Sequence, residues 1–419
     1  MSRIAFLLWS PDISGGTNVI FEHATRMLFQ GHAITIICDD KPELKRLAWF
    51  PDAEKLIWLN YNEAADAEFD IVIATWWRTV FSLYKIKAKK YVYFVQSIES
   101  RFYPEQDKAL RNLVDLTYSL PLNFITEATW IKDHLQTHYH QDALLVRNGI
   151  NKSWFNEAII PEAPRVPGKL RVMVEGPLNV SFKNTELAIA LCRQSQADEV
   201  WLVTSTETGA YPNVDRLFSR VPVSKIGALY ASCDVLVKLS TVEGMFGPPL
   251  EIFHTGGTSI SYDVTGYDEY IGHGVNGLVS FSRSNQEIVN FINRLKANPQ
   301  ELAALKKNAL KTADNWPDWE TSSAEFSAAC QQILAQGSVI QAGALEAQTK
   351  LSWSLYEETQ NLGNADATSV SSLEKYYAGF RRQAIRQIQQ HPALFTLLRK
   401  IKWTLYSYRP GKNKCSIMK

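Results

Sequence analysis

The chain has 419 residues, of which 46% are hydrophobic and 21% charged, and its formal net charge is +1. At roughly 100–200 residues per domain, that length predicts two domains and an appendage, and the average composition supports a sizeable core. The balanced charge gives no reason to expect nucleic acid as a partner, and no run approaches the ~20 apolar residues that span a bilayer.

A strand-like run, Ile4 to Trp9, begins almost at once and lacks the cleavage site of a signal peptide. Apolar, β-branched runs recur at 33–38, 71–75, 91–96, 123–127 and 143–148. In the second half they recur at 170–176, 199–205, 234–240 and 257–262. Several are apolar on both faces, as strands covered by helices on two sides are. Amphipathic helical stretches lie between them, and this alternation predicts parallel, doubly wound α/β sheets. Residues 156–169, with Pro161, Pro164, Pro167 and Gly168, interrupt both periods and read as an interdomain linker. The predicted division is therefore 1–160, 161–335 and a helical extension, 336–419.

The extension differs in character. Residues 338–370 are rich in Ala, Gln, Ser and Asn, while 381–419 carry ten Lys or Arg and no acid. Leu394, Leu397, Leu398, Ile401, Leu405 and Tyr408 fall on one helical stripe, with Arg399, Lys400 and Lys402 off it. Such a helix fits two roles: lying on an anionic membrane surface, or packing on the catalytic body or a second subunit. The five cysteines are widely spaced and form no C-x-x-C pair, which suits free thiols in a reducing compartment. A cytoplasmic protein, peripheral on the inner face of the membrane if the tail binds there, is the expectation.

The segment richest in chemistry runs from Glu243 to Glu251. A strand ending near Ser240 leads into a Gly/Pro loop and then a helix beginning near Pro248–Pro249. Ligands of open α/β sheets sit at such carboxyl ends of strands, and unpaired first-turn amides attract phosphate or sugar oxygens. Gly244 and Gly247 allow backbone to approach a ligand closely. Two glutamates flanking this loop can grip vicinal hydroxyls. Three other patterns carry less. Gly272-His-Gly274-Val-Asn-Gly277 fits G-x-G-x-x-G but precedes the apolar Leu278-Val279 and has no βαβ opening, so it reads as a turn. His134 and His138 have zinc-ligand spacing without a third ligand. Cys415 lies one place too far from the end for a prenylation box.

In Glu243-Gly-Met-Phe-Gly-Pro-Pro-Leu-Glu251 the chain resembles the retaining glycosyltransferases of family 4, whose shared E-x7-E motif is written in this way. Other segments resemble the family in the same order: Gly15-Gly16, Gly31-His32, Arg147-Asn-Gly-Ile150, Ile226 to Val235, Gly256-Gly257-Thr258 and Gly274 to Val279. The resemblance covers residues 1 to about 335. It implies a GT-B fold of two facing Rossmann-like domains, the first on the acceptor side and the second holding the donor. A helix near Trp316–Leu334 would cross back to the first domain. Glu251 would hold the nucleotide ribose, and Glu243 the donor sugar near the reaction centre. Backbone amides of Met245, Phe246, Gly247 and Pro248 would bind sugar hydroxyls. Lys183 would neutralise the departing diphosphate, with Gly15 and Gly16 presenting amides from the opposite domain. Fixed donors and a cation stabilise that developing charge most in the transition state.

The implied activity is transfer of a hexose-type sugar from a nucleotide-diphosphate sugar to a saccharide or lipid-linked saccharide, in bacterial surface polysaccharide biosynthesis. No D-x-D triplet is present, so no metal or other cofactor is expected. Two positions depart from the family. Pro177 stands where an Arg is usual, and neither Ala74 to Arg78 nor Phe94 to Arg101 supplies the usual His. Gln96, Glu99 and Arg101, just past a strand end, are candidates for donor or acceptor contacts, or are solvated loop residues. The alternative function is a non-catalytic nucleotide-sugar-binding or assembly subunit; epimerases and phosphorylases would also use two facing Rossmann domains.

Overall fold

The computed structural model describes residues 1–337 and 341–366; the basic stretch 381–419 lies outside them. The first sheet contains β1 (Arg3–Leu7), β2 (Ala33–Cys38), β3 (Ile57–Asn60), β4 (Glu68–Ala74), β5 (Lys87–Val95), β6 (Asn123–Thr126) and β7 (Ala143–Leu145). Their spatial order is β3-β2-β1-β4-β5-β6-β7, and each adjacent pair is parallel. The second sheet contains β8 (Arg171–Glu175), β9 (Glu199–Thr204), β10 (Arg216–Ser219), β11 (Val235–Lys238), β12 (Thr258–Tyr262) and β13 (Leu278–Ser280). Its order is β10-β9-β8-β11-β12-β13, again all parallel.

Period-two alternation sorts each strand between two cores. Ile4, Phe6, Ile71, Ile73, Val92 and Phe94 pack on one face of the first sheet; Ala5, Leu7, Val72, Ala74, Tyr93 and Val95 pack on the other. The second sheet divides likewise, Val172, Val235 and Val237 opposing Met173, Trp201 and Leu236. Burial on both faces is why these strands read as unbroken apolar runs. The chain reverses its winding between β1 and β4, and again between β8 and β11. An open α/β sheet leaves a crevice for ligands at such switch points.

The sequence pattern did not mark β3, β10 or β13. All three are sheet edges; β3 (Ile-Trp-Leu-Asn) and β10 (Arg-Leu-Phe-Ser) are only partly buried, and β13 has three residues. Short edge strands carry too little apolar sequence to show a period.

The helix Trp319–Ala335 returns to the first domain. Asp318 caps it by accepting from the Thr321 amide at 2.8 Å. Trp319, Phe326, Cys330 and Ile333 then join the core beneath β1 and β5. His23 stacks on Phe326 with ring centres 4.3 Å apart and bonds to Ser323 Oγ at 3.2 Å. The following helix, Ala342–Asp366, buries Leu345 in the first domain and sets Trp353 against Phe81. Among the described residues no helix is long and apolar enough to cross a membrane.

Candidate functional site

The carboxyl ends of the two sheets enclose a cleft of about 760 Å³. From the first domain it is lined by Gly15, Gly16, Gln96 and Glu127 among others, and from the second by Glu175, Lys183, Lys238, Glu243 and Glu251.

Lys183 is placed by local geometry. Ser181–Lys183 form one 3-10 turn, closed by Asn184 in the left-handed region at φ 49°. The Asn184 amide group donates to Leu239 O at 2.9 Å, and Thr241 N donates to Phe182 O at 2.8 Å. These bonds tie the turn to the segment that leads into Glu243. Phe182 stacks on Phe102 of the first domain with centroids 5.1 Å apart. Lys183 Nζ lies 2.8 Å from both Glu243 carboxylate oxygens. Burial raises the Glu243 pKa, but Lys183 and then Lys238 outweigh it and hold the carboxyl below its ordinary range.

Glu251 lies in the helix Gly247–His254, facing Tyr230, whose hydroxyl bonds to it. Burial first, and the neighbouring Glu175 second, push Glu251 up to about 7. Beside it, Lys238 ends β11 with its side chain 4% exposed, and its Nζ is 2.5 Å from Glu175 Oε2. Lys183, Glu243 and Glu251 are thus brought into one wall of the cleft with a second ion pair that the sequence did not nominate.

Gly15 and Gly16 open the helix Gly15–Phe29, whose cap Ser14 takes the Thr17 amide at 3.0 Å. A Cβ on Gly15 would meet nothing within 4 Å, and one on Gly16 would touch only the Gln96 side chain. Both glycines line the cleft from the first domain, where the first-turn amides of a helix are ready donors for an anion.

The loop 243–247 differs from expectation. Gly244 serves an approach between protein segments: a Cβ there would lie 1.7 Å from Gln96 O of the first domain. Trp130 Nε1 also donates to Gly244 O at 2.9 Å. The Met245 amide is taken by Glu127 Oε1 at 3.0 Å, the Gly247 amide by Met245 O at 3.0 Å, and Pro248 has none. The Phe246 side chain is fully buried in the core. Met245, Gly247 and Pro248 line the cleft while Phe246 does not, and of the two loop glycines only Gly247 has open space around its Cα.

Among the weaker candidates, Gln96 lines the cleft between Gly16 and the glutamate loop. Glu99 lies in the wall, but its carboxylate accepts from the Trp77 amide at 2.7 Å and the Tyr93 hydroxyl at 2.9 Å. Burial pushes it up to about 8. Arg101 packs over the Trp130 ring at 5.1 Å and is not among the cleft-lining residues. His134 and His138 stack on each other, and Gly272–Gly277 forms a turn before β13. No group of three or more His, Cys, Asp or Glu among the described residues is arranged to hold a metal.

Sequence reasoning missed Glu127, which bridges Met245 N and Asn148 Nδ2 (2.8 Å) across the two domains and is pushed up to about 7 by burial. It also missed Glu175 and Lys238. A lysine inside the apolar run Val235-Leu-Val-Lys-Leu was the one available signal.

Residues 196–312 match the family model of glycosyl transferases group 1. No curated protein matches the sequence significantly. Among solved structures the chain is similar to sucrose-phosphate synthase from Thermosynechococcus elongatus, with a TM-score of 0.64 and 14% identity over 80% of this chain and 100% of that one. It is similar to Anabaena HepE in complex with UDP and glucose, at 0.63 and 16% over 79% and 100%. It is also similar to WaaG, a glycosyltransferase involved in lipopolysaccharide biosynthesis, at 0.58 and 15% over 80% and 100%. The chain thus has the GT-B fold of two Rossmann-like domains, with the glycosyl transferases group 1 match in the domain that holds Glu243 and Glu251.

Proposed function

We propose that this protein is a retaining, metal-independent glycosyltransferase of the family 4 kind. It would move a sugar from a nucleotide-diphosphate sugar to a saccharide or lipid-linked saccharide in surface polysaccharide assembly. The observation that carries the reading is the Lys183–Glu243 pair, 2.8 Å through both oxygens, on a cleft that also presents Glu251 and the Gly15–Gly16 helix start. A cation opposite two open amides is what a diphosphate leaving group requires. The similar structures support the donor and pathway classes: HepE is described with UDP and glucose, and WaaG with lipopolysaccharide biosynthesis.

In this reading the ribose hydroxyls bond to Glu251 and the diphosphate lies between Lys183 and the Gly15–Gly16 amides. As the bond from anomeric carbon to phosphate oxygen breaks, charge builds on that oxygen, where Lys183 stabilises it. The acceptor hydroxyl attacks from the same face and passes its proton to the departing oxygen. Glu243, held low by its lysines, is a poor base, so its role is to orient the sugar and Lys183. No second carboxylate is required, in contrast to glycoside hydrolases. Lys183 and the helix start take the place a metal ion would fill.

The test is transfer from a panel of nucleotide sugars in excess chelator, with the product anomer assigned by NMR. Turnover with the donor's anomeric configuration is expected. An inverted product would overturn retention, and complete loss in chelator would overturn metal independence.

A further inference from the structure

We propose that Lys238 is the second cation of the anion site, reaching the diphosphate from beneath the sheet end; this rests on the donor-binding reading above. The residue is anomalous where it stands. Val235, Leu236 and Val237 of its strand are fully buried apolar side chains, and Lys238 follows them with 4% of its side chain exposed, yet lines the cleft. A buried ammonium is costly unless partnered. Its partner is Glu175 at the end of the adjoining strand β8, through the carboxylate at 2.5 Å and the backbone oxygen at 3.1 Å. An ammonium has three N–H donors, and these two bonds leave one.

Its surroundings give that donor a purpose. Lys238 sits within the field of Glu175, Glu243 and Glu251. Among these residues Lys183 is the other cation, so Glu175, Glu243 and Glu251, when all ionised, leave a formal −2, and Lys238 brings it to −1. A diphosphate carries at least two negative charges, so the repulsion it meets at this floor is smaller with Lys238 than without it. The turn above cannot provide the charge. Gly176, at φ 152°, and Pro177 form that turn, and Pro177 has no side-chain donor. Lys238 Nζ lies only 3.9 Å from where a Gly176 Cβ would be, directly under the turn. The strand floor thus supplies a cation that the turn lacks, and Glu175 positions it.

A lysine that merely neutralises Glu175 would matter for folding and not for phosphate. Calorimetry therefore compares a nucleoside with its diphosphate, after the wild-type protein is screened with UDP, GDP, ADP and dTDP. If wild type binds none, the donor-site reading fails, and the Lys238 proposal with it. With a binder in hand, the double variant Lys238→Met/Glu175→Gln removes both charges of the pair. At pH 8.5, above the Glu251 pKa of about 7, it is expected to bind the nucleoside as wild type does and the diphosphate about tenfold or more weakly, the scale of one lost charge-assisted bond. Lys238→Arg is expected to retain most of the affinity. An unchanged diphosphate-to-nucleoside ratio in the folded double variant overturns the proposal. Should that variant not fold, a crystal structure of wild type with the diphosphate decides. Nζ within hydrogen-bond reach of a phosphate oxygen supports it, and a separation beyond two such lengths sinks it.

Discussion

In the proposed reading a diphosphate entering the cleft would compete with Glu243 for the Lys183 ammonium, so the two side chains would set the response of the site together. Lys183→Ala is expected to lower kcat/KM by about 10²–10³-fold, as loss of one preorganised donor does, in steady-state assays with the best donor; a drop under threefold would remove Lys183 from the chemistry. Glu251 makes a pH prediction. Burial and Glu175 hold its pKa at about 7, and only the carboxylate, populated above that pH, accepts two ribose hydroxyl bonds. Donor KM should therefore rise as pH falls from 8 to 6 and be flat in Glu251→Gln; a flat wild-type profile contradicts the role. Glu99 makes a stability prediction of opposite sense. Its folded pKa, about 8, exceeds the ordinary 4.5, so the folded state holds the proton more tightly. The stabilisation is full below about 4.5 and is lost as pH rises through 8. Each tenfold difference in proton affinity is worth about 1.4 kcal/mol, so denaturant unfolding at pH 5 and 9 should show wild type losing at least about 1 kcal/mol relative to Glu99→Gln. Equal losses would refute the buried, neutral Glu99. Glu243 and Glu251 stood out because they flank a Gly/Pro loop between a strand and a helix, and Lys183 was nominated by the resemblance; the structure brings the three to one cleft. Lys238, Glu175 and Glu127 were not legible from sequence, since their partners lie 63 or 118 residues away in the chain.

The loop from Glu243 to Gly247 shows what an element does that its residues alone do not reveal. Its glycine signal was plain, but the direction of approach was not. Gly244 presses on Gln96 O, Ser97 Oγ bonds to Glu243 O at 3.5 Å, and Glu127 takes the Met245 amide. The loop is thereby held on the first domain, with Glu243, Gly244 and Met245 lining the cleft. Gly244→Ala would place a methyl inside van der Waals contact of a backbone oxygen. Such overpacking costs about 1–3 kcal/mol, and the loop must withdraw to relieve it. Turnover is expected to fall at least about tenfold with nucleoside diphosphate affinity nearly kept, in paired kinetic and calorimetric measurements. Wild-type kcat in this variant would show that the contact is dispensable. Central strands were legible because both faces are buried, whereas edge strands β3 and β10 gave no period because half their surface is open.

Across the whole molecule, two parallel sheets set their switch points facing one another, and the returning helix Trp319–Ala335 fastens the second domain's chain to the first domain's core. The alternation of strands and helices announced both sheets. The facing of their carboxyl ends came from the resemblance, because nothing in a local period encodes how two domains meet. That facing gives the site its logic: helix-start amides from one side, and a lysine and two glutamates from the other. The most direct test is calorimetric titration of wild type and Lys183→Ala with nucleoside diphosphates. The account requires one of them to bind wild type and to bind Lys183→Ala about tenfold or more weakly, consistent with a lost charge-assisted bond. Equal affinity in the two proteins, or no binding to wild type, would contradict it.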